Sequence, residues 1–273
     1  MKQNFKIAII GAGNIGISIA NGLVQSGQFL SKNITLTRRK VHLLEEQKKQ
    51  GFVIQSNNRE AVNNSEIIII AVEPQQIDDV LKEINSELVP DKHTIISVVT
   101  GVTIKQIIKH IGNKTRVVRA MPNTAISIRE SITCLASVET NDEVLEIARS
   151  IFGTVGKTLV VEEEQMIAAT ALAACGIAFF LRAIRAASQG GIEIGFDSGD
   201  ALYIAAQAAK GAASLLLDSK NHPEFEIDKV TTPRGCTISG LNQMEHEGFS
   251  AAMVSGITAS ANKAAMLYSK TND

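Results

Sequence analysis

Lys6-Ile7-Ala8-Ile9-Ile10-Gly11-Ala12-Gly13-Asn14-Ile15-Gly16 is an apolar run that halts at spaced glycines and passes into a helical pattern. The run predicts a β-strand over 6–10 and the following segment a helix over 15–26. In this setting the G-x-G-x-x-G spacing has a mechanical meaning. Gly11 permits the tight turn, Gly13 lets the backbone approach a pyrophosphate, and Gly16 lets the helix pack close to the strand. The helix N-terminus then offers free N–H groups and a positive dipole end to phosphates. Gly11, Gly13, Asn14, Ile15 and Gly16 are therefore candidate cofactor-binding residues. A tight strand–helix turn without a ligand is the competing reading.

Outward from this turn the chain alternates strand and helix patterns. Further strands are expected over 34–37, 52–54, 67–72, 94–99, 116–120, 132–136 and 158–161. Ile67-Ile68-Ile69-Ile70-Ala71-Val72 has no polar break, so that strand is expected to be covered on both faces, as in a parallel sheet between helices. Helix patterns fall over 41–50, 75–85, 104–111 and 142–152. Repeated strand–helix–strand units define an α/β class, a Rossmann-type doubly wound sheet. After about Glu162 the pattern changes. Alanine-rich helices are expected over 166–189, 198–217 and 249–269, with a shorter one over 238–246. The expected breaks are Gly190-Gly191, Gly195 and residues 218–233. Two domains follow: 1–162, dinucleotide-binding, and 163–273, all-helical, for dimerisation and substrate binding.

Composition narrows the function. The chain has 273 residues, 27 basic and 28 acidic, for a net charge of −1, and 45% are hydrophobic. This balance argues against a nucleic-acid or polybasic membrane binder. Three scattered cysteines and five scattered histidines argue against a disulfide framework and a metal site, and fit a reducing cytoplasm. No signal peptide is expected. Residues 165–181 carry no charge, but glutamates precede them and arginines follow. They read as a soluble helix with partners on several faces rather than a membrane span. A second subunit is the natural source of such partners.

The end of the second strand reads Thr37-Arg38-Arg39-Lys40, with no carboxylate before Glu45. An NAD site usually places an acidic residue there, on the ribose hydroxyls. Consecutive cations suit a 2′-phosphate instead. Arg38 and Arg39 are thus expected to favour NADP(H), with NAD(H) as the alternative; a solvated loop is the competing reading.

Three later stretches carry a more specific signal. They are Ala71-Val72-Glu73-Pro74-Gln75, then Val118-Arg119-Ala120-Met121-Pro122-Asn123-Thr124, and Val230-Thr231-Thr232-Pro233-Arg234-Gly235-Cys236-Thr237, followed by Gly240-Leu241 and Glu247-Gly248-Phe249. With the glycine turn before them, the sequence resembles the pyrroline-5-carboxylate reductase family from about Lys6 to Leu267. The resemblance implies NAD(P)H-dependent reduction of 1-pyrroline-5-carboxylate to L-proline. It also implies a homodimer through interlocking C-terminal helices, often assembled into rings of dimers.

The resemblance assigns roles residue by residue. Ala71, Val72 and Pro74 should border the cofactor. Met121, Pro122 and Asn123 should lie beside the nicotinamide, although a plain strand-ending loop would read the same way. Val230, Thr231, Thr232, Gly235, Cys236 and Thr237 should form the substrate loop, whose amides hold the carboxylate. Thr237 is the catalytic candidate, its hydroxyl near the imine nitrogen; an N-cap role is compatible. Arg119 is expected to anchor the Met121–Asn123 loop, and Cys236 to be a small packing residue.

This chain departs from the family pattern at three places. Glu73 stands where a lysine is usual, Cys175 and Ile177 fall in the usual G-S-G-P-A segment, and Arg234 replaces a glycine. Arg234 implies that the backbone there does not need positive φ. The alternatives are a reductase of another cyclic imine acid, and a non-catalytic dinucleotide sensor or scaffold. A β-hydroxyacid dehydrogenase is disfavoured, because no lysine lies between Lys157 and Lys210 to serve on the long helix.

Overall fold

The computed structural model describes residues 5–112, 115–137 and 142–267. Among the described residues eight strands form one sheet: β1 Ile7–Ile10, β2 Ile34–Thr37, β3 Val53–Gln55, β4 Ile67–Ile70, β5 Thr94–Ser97, β6 Arg116–Met121, β7 Ser131–Ser137 and β8 Gly156–Val160. The helices beside it are α1 Asn14–Gln25, α2 Glu45–Lys49, α3 Asn58–Asn63, α4 Ile77–Ile84, α5 Ile104–Ile111 and α6 Asp142–Phe152. A four-residue helix α7, Met166–Ala169, runs into a π-helical stretch at Thr170–Cys175. Then come α8 Gly176–Glu193, α9 Ser198–Ser219, α10 Pro223–Lys229, α11 Cys236–His246 and α12 Phe249–Met266.

The sheet order is β3-β2-β1-β4-β5-β6-β7-β8. All neighbours pair in parallel except β6 and β7, which are antiparallel. Successive side chains on a strand point to opposite faces, and both faces are buried. Ile7, Ile9, Ile67 and Ile69 face one core with residues of α1 and α6. Ala8, Ile10, Ile68 and Ile70 face the other, against α3, α4 and α5. Each fully buried isoleucine contributes roughly 1.5–3 kcal/mol relative to exposure. This is why an unbroken isoleucine run is stable here and would not be on a half-solvated sheet.

The chain divides into two compact units. One holds the residues up to Cys175 and those from Ser260 onward; the other is Gly176–Ala259. In the first unit Met166, fully buried, joins Met121, Cys134 and Ala136 in a small cluster. In the second, α8 and α9 pack together, and a Cβ added at Gly191 would lie 3.1 Å from the Cβ of Ala201.

Several expectations are corrected. Gly190-Gly191 does not break the helix. Both lie inside α8, Gly191 serving as the close-packing point, and the break is at 194–197. Residues 218–233 are not all irregular: Pro223 at the first helical position starts α10, where the absent N–H costs nothing. The helix α3 was not expected at all. Residues 268 and 269 of the expected last helix lie outside the described residues. The segment Glu163–Glu193 is long and apolar enough to cross a membrane by length and composition: its most apolar 18-residue window has a mean hydropathy of 2.0, and 17% of that window is buried.

One buried titratable group stands apart from the pocket described below. His93 is fully buried; its Nδ1 accepts the Val89 N–H at 3.0 Å, and its Nε2 has no partner among the described residues. Burial, aided by Lys92, lowers its pKa below the ordinary 6.5. The unfolded chain therefore takes up a proton first as pH falls. Stability should be fully present above pH 6.5 and decline as pH drops through the lowered folded value. Urea unfolding at a series of pH values checks this, and His93→Gln should remove that part of the dependence.

Candidate functional site

The glycine turn is pinned from both sides. Gly11 and Ala12 donate their N–H groups to the Thr37 carbonyl at 3.2 and 2.8 Å, and Ala71 N–H donates to the Ile10 carbonyl at 2.8 Å. Gly11 has φ +92°, and a Cβ there would lie 2.6 Å from Val72 Cγ1 and 2.8 Å from the Ala71 oxygen. Nothing but glycine fits. At Gly13 a Cβ would meet nothing within 4 Å, so no protein neighbour accounts for that glycine, and the space above it is open. No side chain caps the N-terminus of α1, and its first turn carries no acidic residue. Its free N–H groups and positive dipole end are available to a phosphate.

Beside this turn lies a cleft of about 790 Å³ at the carboxyl ends of β1, β2 and β4. This is the topological switch point, where strand order reverses on either side of β1. Of the expected cofactor residues, Gly11, Gly13, Arg38, Arg39, Ala71 and Val72 line it. Asn14, Ile15, Gly16, Pro74, Met121, Pro122 and Asn123 do not. Asn14–Gly16 form the first turn of α1, and Pro74 opens a short 3-10 turn, Pro74–Gln76.

Sequence reasoning missed other lining residues. Ser56 and Asn58 come with α3; Gln76, Asp79 and Glu83 come from α4 and the turn before it. A signal for α3 was present: Asn57 stands three residues before Glu60, and its Oδ1 accepts the Glu60 N–H at 3.2 Å as an N-cap. The cleft is electrostatically two-sided. Arg38, Arg39 and Lys40 border it on one element, Glu73, Asp79 and Glu83 on others.

The Met121–Asn123 loop is held by the protein itself. Asn123 is buried; its Oδ1 accepts the Ala125 N–H at 3.1 Å and its Nδ2 donates to the Ala173 carbonyl at 3.3 Å. Ala173 lies in the π-helical stretch. Arg119 is 3% exposed and donates to Glu163 at 3.3 Å. Burial lowers its pKa, and the Glu163 carboxylate raises it. Glu163 also accepts the Ile104 N–H at 2.6 Å. Arg119 thus ties β6 to Glu163 and, through it, to the start of α5, whereas the bonds that hold the loop itself are those of Asn123.

In the second unit, Gly235 N–H donates to the Thr232 carbonyl at 2.9 Å, closing a turn over Pro233 and Arg234. Arg234 has φ +60°. This corrects the expectation that its backbone avoids positive φ. A turn with proline second and a left-handed third residue is the type II arrangement, which favours glycine at that third place. Thr237 is also corrected as an N-cap: Gly235 is the N-cap of α11, and Thr237 is its second residue, half-buried. The helix begins two residues earlier than the expected 238. No side chain caps it, which leaves the amides after Gly235 available. Thr231 Oγ1 donates to the Ile227 carbonyl at 2.8 Å, Val230 and Cys236 are exposed, and Cys236 is a free thiol.

A mostly parallel sheet with a phosphate-ready glycine turn at its switch point, followed by a helical region, has the plan of a dinucleotide-dependent oxidoreductase. Residues 163–267 match the family described as pyrroline-5-carboxylate reductase dimerisation, and residues 6–101 the family described as NADP oxidoreductase, coenzyme F420-dependent. Pyrroline-5-carboxylate reductase 1 of Dictyostelium discoideum is 52% identical over 97% of this chain, which spans only 50% of that relative. Pyrroline-5-carboxylate reductase 2 of the same organism is 46% identical over 100% of this chain and 96% of its own length. The fold matches the crystal structure of Plasmodium falciparum pyrroline carboxylate reductase with NADP bound, at a TM-score of 0.89, 23% identity, and coverage of 98% of this chain and 100% of that one. The chain belongs to the pyrroline-5-carboxylate reductase family.

Two predictions follow from this geometry. Reversing charge at Arg38 and Arg39 should weaken NADPH binding about tenfold or more while sparing NADH, as judged by titration of each reduced cofactor. Arg234→Gly should stabilise the chain by about 1 kcal/mol in urea unfolding, because it relieves a left-handed non-glycine residue.

Proposed function

We propose that this chain reduces 1-pyrroline-5-carboxylate to L-proline with NADPH, the last step of proline synthesis. A hydride passes from the reduced nicotinamide to the imine carbon, and the imine nitrogen ends as the protonated secondary amine. The cofactor supplies the hydride; the protein supplies orientation and charge. The observation that carries this reading is the uncapped N-terminus of α11, presented by the Thr232–Gly235 turn, in a chain of this family. Such amides suit the substrate carboxylate. Val230, Thr231, Thr232, Gly235 and Cys236 form the carboxylate loop in this reading. Thr237 is its catalytic residue, with a hydroxyl to hydrogen-bond the imine nitrogen as charge shifts.

The cofactor residues divide by task. Gly11, Gly13, Asn14, Ile15 and Gly16 take the pyrophosphate, and Arg38 and Arg39 take the 2′-phosphate, which favours NADP(H) over NAD(H). Ala71, Val72 and Pro74 border the cofactor, and Met121, Pro122 and Asn123 form the nicotinamide-side loop. The open space at Gly13 and the cationic rim support this division. Residues 1–162 act as the dinucleotide-binding domain and residues 163–273 as the dimerisation and substrate domain. Large apolar side chains such as Phe180, Tyr203 and Leu217, the last 82% exposed, favour a homodimer through the C-terminal helices, with rings of dimers as the larger assembly. The place of work is the cytoplasm, without membrane or nucleic acid. Reduction of another cyclic imine acid is a second reading, favoured by Arg234 in the substrate loop.

Oxidation of NADPH in the presence of 1-pyrroline-5-carboxylate, with NADH in parallel and proline measured as product, tests the proposal. Turnover with NADPH ahead of NADH is expected; bound cofactor without turnover would overturn it. Thr237→Ala should lower kcat about tenfold or more with little change in NADPH affinity. Unchanged kcat would remove Thr237 from the chemistry.

A further inference from the structure

The cationic rim is one part of the cleft lining; another part is a hydrogen-bonded chain that the reading above does not use. Thr37 Oγ1 donates to Asn58 Oδ1 at 2.7 Å, and Asn58 Nδ2 donates to Glu83 Oε2 at 2.9 Å. All three residues line the cleft, and they come from three elements: the end of β2, α3 and α4. Thr37 is buried, whereas Asn58 and Glu83 are half-buried. Arg59 Nε donates to the Glu83 carbonyl at 2.9 Å, which ties α3 to α4 at the same point.

These bonds fix the direction of every group. Thr37 spends its proton on Asn58, so toward any further partner its oxygen can serve only as an acceptor. Asn58 spends its carbonyl on Thr37 and one N–H on Glu83, so one N–H is left to donate. Glu83 accepts from Asn58 and keeps further acceptor capacity on an ionised group. Acceptors of this kind, one of them charged, suit hydroxyl groups. A carboxylate beside a phosphate repels it, whereas a carboxylate beside a hydroxyl accepts its proton in a charge-assisted bond.

We propose that Glu83 is a specificity-determining residue for the cofactor: with Asn58, which it positions, it offers a 2′-hydroxyl a binding partner and holds back the preference for a 2′-phosphate set by Arg38 and Arg39. This inference rests on the reading of the cleft as the cofactor's ribose end. Discrimination between the two cofactors is then a balance between opposed charges in one cleft, and removing the negative charge shifts it.

Glu83→Gln keeps an acceptor for Asn58 and removes only the charge, whereas Glu83→Ala removes both. The test is fluorescence titration of NADPH and NADH on the whole protein without substrate, with thermal unfolding recorded for each variant. In Glu83→Gln the NADPH affinity should rise and the NADH affinity fall, moving their ratio about tenfold toward NADPH. In Glu83→Ala both affinities should fall, because Asn58 is no longer held. In Glu83→Gln, a purely structural role would lower the unfolding temperature and move both cofactors alike, which would overturn the inference. An unchanged ratio in Glu83→Gln, with wild-type protein binding both cofactors, overturns the inference alone. Wild-type protein that binds neither cofactor overturns the reading of the cleft as well.

Discussion

Gly11 is squeezed between the ends of two strands, and the cleft is built around that squeeze. Its N–H and that of Ala12 reach back to Thr37, while Ala71 reaches Ile10, so the turn is locked to β2 and β4 together. A side chain at Gly11 would collide with Val72 and the Ala71 carbonyl. The lock brings the ends of β1, β2 and β4 to one level, which puts the cations after β2 and the carboxylate after β4 on the rim of the same cleft. It holds only because these strands are packed on both faces. The isoleucines of β4 divide evenly between the two cores, so a polar residue in that run would disturb the sheet at the point where the turn is anchored.

A second set of contacts fastens the start of the helical region to the sheet. Buried Arg119 pairs with half-buried Glu163, and Glu163 also holds the first N–H of α5. Asn123 reaches the carbonyl of Ala173. π-helical turns free carbonyls that a regular helix would bind, and they recur at functional sites. The family's usual proline is missing from this segment, and the helix passes through it with a π-helical stretch. The Met121–Asn123 loop is therefore fixed by hydrogen bonds within the same unit.

Most of the fold was legible because its signals are local and repeated. Apolar runs bounded by glycine or polar turns marked all eight strands, and 3.6-residue periodicity marked α4, α5 and α6. The G-x-G-x-x-G turn placed Gly11, Ala12 and Gly13 in the cleft lining. What escaped notice has physical reasons. Helix α3 is six residues long, too short for periodicity, and only its Asn57 cap announces it. With it went Asn58, and with α4's orientation went Asp79 and Glu83, because which face of a helix meets a pocket depends on packing across the sheet. Gly190-Gly191 looked like a break because glycine weakens helices, yet close packing against Ala201 makes a small residue useful there. Arg234 read as ordinary backbone, but the turn closed by Gly235 and Thr232 imposes the left-handed conformation on whatever residue stands third.

The central claim is that the bound cofactor's hydride ends on the imine carbon of a cyclic amino-acid precursor. Incubating the protein with 1-pyrroline-5-carboxylate and NADPH carrying deuterium at the transferable nicotinamide position, then analysing proline by mass spectrometry and NMR, tests that claim most directly. One deuterium at the ring carbon bonded to nitrogen, on the side away from the carboxylate-bearing carbon, is the predicted result. Proline without deuterium, or cofactor that stays reduced throughout, would contradict it.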